Sequence, residues 1–104
     1  IDVVDLAKAH VVAMRRMLEG DDTDSIEIFN LGTGRGVSVL ELINAFEKST
    51  GVPVPHKIGA RREGDIEQIW AIPDKANNVL GWTAAVPVEE TLANAWRWQC
   101  SLSR

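Results

Sequence analysis

The chain has 104 residues, 45% apolar and 25% charged, the composition of one small globular domain. A net charge of −4 argues against nucleic acid or an anionic membrane as partner, since both need a basic surface. Lone Cys100 excludes an internal disulfide and a cysteine-based zinc site, no apolar run reaches membrane-spanning length, and the absence of tyrosine excludes a catalytic phenol.

Val4, Ala7, Val11, Met14 and Leu18 recur at intervals of three and four, the apolar face of a first helix, with Asp5 suited to the positive end of its dipole. Gly20 stops it. Residues 21–25 read as a solvated acidic loop, without the glycine and closing glutamate of a calcium loop. Ile26, Ile28 and Asn30 alternate with Glu27, Phe29 and Leu31, a short strand expected to be buried on both faces. After the glycine loop 32–36, Ser38 and Glu41 form a capping box for a second helix, which carries Val39, Leu40, Ile43 and Phe46 and ends at Gly51. Residues 52–58, broken by Pro53 and Pro55, predict an edge strand.

Residues 61–65 are a charged loop, and 66–71 read as extended or irregular. Asp74 is expected to cap a short helix to Leu80, with Gly81 stopping it and Trp82 folding back across its end. Pro87 precedes a final helix marked by Val88, Leu92, Ala95, Trp96 and Gln99. The expected fold is α/β: a small helix-rich domain with a short sheet of about two strands.

The glycine loop invites comparison with a dinucleotide-binding turn. Its spacing is Gly32-x-Gly34-x-Gly36, however, and valine stands at 37 where the fingerprint needs its third glycine. A tight turn ahead of a capped helix accounts for it. The arginine loop is the stronger candidate site. Arg61 and Arg62 offer planar donor forks that fit phosphate, and Asp65 is a carboxylate able to accept from sugar hydroxyls. The same residues also suit a plain surface ion pair.

His10 and His56 lack a second ligand at useful spacing, and Cys100 has no histidine partner nearby. Trp70 and Trp82 are expected in the core. Trp96 and Trp98, two apart on a helix, face opposite ways, so one of them needs a second surface such as a partner domain. The opening at Ile1, in residues that already read as structured, is expected of a piece of a longer polypeptide. No signal peptide is visible, and the expected location is cytoplasmic.

The segments 1–7, Phe29 to Val39, Arg61 to Asp65, Leu80-Gly81-Trp82 and Thr91 to Gln99 together resemble the C-terminal segment of the UDP-glucose 4-epimerases, in order and over essentially the whole chain. The glycine and arginine loops are common to many extended short-chain dehydrogenase/reductases acting on nucleotide sugars. The closing Trp-Arg-Trp-Gln is more particular to the 4-epimerases.

The resemblance implies that residues 1–104 are one C-terminal substrate-binding domain of a Rossmann-type enzyme. It also implies that NAD and a Tyr-x-x-x-Lys pair belong to a separate N-terminal domain, absent here along with the fingerprint. By resemblance Arg62 contacts the substrate diphosphate, Asp65 contacts the uridine ribose, and Ile69 stands where the family gates sugar size with tyrosine or cysteine. Asp2 replaces a histidine usual in the opening segment.

No catalytic residue and no NAD-binding residue is expected on this chain, so alone it is expected to be inactive and to bind UDP-sugar weakly. Its expected partners are the UDP-sugar and the missing Rossmann domain, and an uncovered apolar surface is expected to drive self-association. The alternatives are the equivalent portion of another nucleotide-sugar epimerase or dehydratase, and a free-standing acidic interaction module.

Overall fold

The computed structural model describes residues 1–20 and 26–102, so the acidic loop read at 21–25 lies outside the described residues. The described elements are α1 (Val3–Glu19), α2 (Val39–Thr50), a π-helical turn (Ala76–Leu80) and α3 (Val88–Leu102). They divide between two compact units, one of Ile1–Arg35 with Trp70–Val86, the other of Gly36–Ile69 with Pro87–Arg104. Among the described residues no helix is long and apolar enough to cross a membrane.

In the first unit α1 starts at Asp2, whose carboxylate accepts from the Val4 N–H at 2.8 Å, and ends at Gly20 in the left-handed region. The stripe expected to be buried, Val4, Ala7, Val11, Met14 and Leu18, is exposed. The covered face lies about one residue further round: Asp2, Asp5 and Ala9 are buried, and Leu6, Val12, Ala13 and Arg16 half-buried.

That face is chosen by distant residues. Ala76 and Trp82 close over Ala9 to make the small core, with Phe29, Leu31, Leu80 and Ala84 packed around it. Asp5 is therefore not a surface charge at the helix start. It is 1% exposed, and its carboxylate accepts from the N–H groups of Ala85 (3.0 Å) and Val86 (2.9 Å). Its carbonyl accepts from the Trp82 indole N–H at 2.9 Å.

No strand forms among the described residues, which corrects the expected two-strand sheet. A strand exists only through a ladder with a neighbour, and neither 26–31 nor 52–58 has one. The period of two survives at 26–31: Glu27, Phe29 and Leu31 turn inward while Ile26, Ile28 and Asn30 stay exposed, so one face is covered rather than two. Two further expectations fail. Trp70 is exposed. The turn Ala76–Leu80 opens from Lys75 with no side-chain cap, so Asp74 does not cap it. Gly81 ends it with positive φ as read, and Trp82 folds back to join the core.

In the second unit the capping box of α2 is complete, Ser38 Oγ accepting from the Glu41 N–H and the Glu41 carboxylate from the Ser38 N–H, and Gly51 closes the helix. α2 packs on α3, with Phe46 and Trp96 edge to face at 5.6 Å. Trp98 points away into solvent, as its spacing from Trp96 predicts.

Candidate functional site

Two glycines of the glycine loop lie against protein. A Cβ at Gly32 would meet the Ala71 side chain at 3.1 Å, and Gly34, at φ +74°, lies against Pro73. Both glycines are explained by the turn and by this close approach. A bound dinucleotide needs an open glycine face and free amides at the helix start. Here Ala71 closes the first, and the Ser38 cap takes the Glu41 amide. The loop does not fit NAD.

The arginine loop is open. Gly64 adopts φ +84° and allows the chain to turn, with the Asp65 N–H donating to the Arg62 carbonyl at 3.2 Å. Asp65 closes the turn from the other side. Its Oδ2 accepts from the Arg62 backbone N–H (3.1 Å) and Nε (3.2 Å), while its Oδ1 pairs with Arg62 Nη2 at 3.2 Å. The two residues singled out by spacing are thus brought together.

The pair occupies two of the guanidinium's five donors. The Arg62 side chain is 85% exposed and that of Asp65 39%, so the remaining donors face solvent. One residue outward, Arg61 Nη2 donates to Glu67 Oε1 at 3.1 Å.

An open groove of about 370 Å³ runs along this loop, lined by Arg61, Asp65, Ile66, Glu67 and Gln68. Arg62 borders the turn rather than the groove. Ile69 is exposed and outside the lining, so it is not brought into the same cavity. The loop is tied to α2 by the Gln68 amide, which donates to Glu41 Oε1 at 3.1 Å. The carboxylate that caps the helix therefore also holds the end of the groove. Sequence reasoning missed this link and the Arg61–Glu67 pair, because neither has a local spacing signature.

Two arginines facing solvent beside a carboxylate can receive an anion carrying hydroxyl groups. Elsewhere the polar contacts are structural. Arg16 grips Glu27 through two bonds, 2.9 and 3.1 Å, and this hydrogen bonding holds the Glu27 carboxyl below the usual glutamate range. Lys75 donates to the Ile28 carbonyl and stands over the Phe29 ring. His10 and His56 each face a nearby carbonyl of their own segment.

No protein-family model matches the chain. Solved structures do. An epimerase from Stenotrophomonas maltophila with bound NAD and formylated UDP-arabinopyranose has a TM-score of 0.90 and 43% identity, over 100% of this chain and 30% of that one. An epimerase from Bifidobacterium longum in complex with NAD+ and UDP has a TM-score of 0.82 and 42% identity, over 97% of this chain and 29% of that one. In fold the chain is thus similar to part of epimerases of the Rossmann-type short-chain dehydrogenase/reductase class.

In sequence it matches the C-terminal part of the UDP-glucose 4-epimerases. It is 46% identical over 99 residues to the human enzyme and 48% identical over 101 residues to that of Bacillus subtilis, covering 95% and 97% of the chain. It spans 28% and 29% of the length of those relatives.

Proposed function

We propose that this chain is the nucleotide-sugar side of a UDP-glucose 4-epimerase, an enzyme that interconverts UDP-glucose and UDP-galactose. In this reading Arg62 contacts the diphosphate, Asp65 accepts from the uridine ribose, and Ile69 borders the hexose. The remainder of the longer protein holds NAD and carries the proton-transfer residues, in a cytoplasmic setting. This chain's own task is to bind and orient the nucleotide so that the hexose is presented to that remainder.

The observation that carries the reading is the Arg62–Asp65 pair. It is pre-assembled on a glycine turn, it is solvent-facing, and it stands beside an open groove. The uncovered stripe of α1 and the one-faced segment 26–31 support a neighbouring stretch of protein, since apolar surface of that kind marks a contact.

The test is a UDP titration of the 104-residue chain followed by amide NMR. Weak saturable binding is expected, with the largest shifts at Arg62, Gly64 and Asp65 and loss of binding in R62A and D65A. No turnover of UDP-galactose is expected with NAD added. Shifts confined to other segments, or turnover above blank, would refute the reading.

A further inference from the structure

We infer that Arg61 is a second phosphate-binding arginine of this loop and that Glu67 sets its availability. The inference rests on the reading of the loop as a diphosphate site, and goes beyond it in naming a residue and a control. Of the two adjacent arginines, Arg61 is the one that lines the groove. Among the described residues its one partner is Glu67, through one bond of 3.1 Å between side chains that are 65% and 79% exposed. Such an open, one-bond pair contributes little and exchanges readily.

Arg62 is held differently. Asp65 grips it through two guanidinium donors and its backbone N–H. Arg61 therefore has more donors to give and a weaker hold to break. A phosphoryl group takes a guanidinium fork through two charge-assisted bonds, a better partner than one exposed carboxylate oxygen.

Glu67 acts on the same anion in two ways. It competes for Arg61, and it adds a negative charge to the groove wall. Together with Glu63 and Asp65 it leaves residues 61–67 with more acids than arginines. Opening the Arg61–Glu67 pair is what makes the groove attractive to a diphosphate.

The experiment titrates UDP and uridine into the wild-type chain and the R61A, R61K, E67Q and R62A variants, reading Kd from amide shifts. R61A is expected to weaken UDP about five- to tenfold and to leave uridine unchanged, the loss of a charged bond to phosphate. R61K recovers part of the loss, since it keeps the charge without the fork. E67Q tightens UDP about twofold.

If R61A stays within about twofold of wild type while R62A abolishes binding, the inference fails and the reading of the loop stands. If R61A weakens UDP and uridine equally, Arg61 holds the loop rather than the phosphate, and the inference fails. If the wild-type chain shows no saturable UDP binding up to about 10 mM, both fail.

Discussion

Replacing Asp5 by alanine removes the one carboxylate that satisfies the N–H groups of Ala85 and Val86, at 3.0 and 2.9 Å, from a position 1% exposed. A hydrogen bond to a charged group contributes about 1.5–3 kcal/mol, and relief from burying the carboxylate offsets part of two such bonds. The net cost is about 2–3 kcal/mol, roughly half the stability of a domain at the low end of the ordinary range. Thermal unfolding followed by far-UV circular dichroism should show a midpoint lower by about 10–20 °C. Asp5→Asn keeps an oxygen that can accept both N–H groups, so it should lose only about 1 kcal/mol. A D5A midpoint within about 5 °C of wild type would refute the reasoning, because the two amides would then not depend on Asp5. A D5N loss equal to that of D5A would show that charge, rather than the acceptor, is what the site needs.

Ser38→Ala removes the oxygen that accepts from the Glu41 N–H and should cost about 1 kcal/mol, read as a lower thermal midpoint with UDP contacts in the arginine loop retained. Glu27 has its folded pKa depressed by Arg16, so it contributes stability above the ordinary glutamate range, and that contribution is lost as pH falls through and below that range. E27Q should flatten that part of the melting-temperature profile, and an unchanged acid limb would count against the pair. The double variant M14K/L18K places charge on the exposed stripe of α1, and light scattering should show less self-association with no loss of thermal midpoint. A large fall in midpoint would mean that the stripe is packed.

The helices were legible where their start and stop signals are local. Ser38 with Glu41, Gly20, Gly51 and Pro87 each act within one turn, so α1, α2 and α3 fall where the sequence reading places them. What failed was decided at a distance. The sequence of α1 carries two neighbouring apolar faces, and the one that is covered is selected by Ala76 and Trp82, more than sixty residues away. The alternation at 26–31 survives only as one covered face, because a pattern makes a strand only when a partner backbone is present. Asp5 gave no sign of its role, because its acceptors serve amides about eighty residues on.

The site divides in the same way. Arg62 and Asp65, three apart across Gly64, were legible as a pair because a turn joins them. Gln68 on Glu41, twenty-seven positions apart, was not. The placement of Ile69 outside the groove was equally hidden, since a single residue along an irregular segment changes which way the side chain projects.

The tether between Asp5 and residues 82–86 also dictates an order of events during synthesis. α1 leaves the ribosome about sixty residues before the amides and indole it must hold have been made. Bringing those ends together closes a loop of about eighty residues, at an entropic cost of about 4 kcal/mol, before any of the three bonds can form. α1 is therefore among the last of the described helices to acquire its tertiary contacts, and it waits in an exposed state until residues 82–86 have been made.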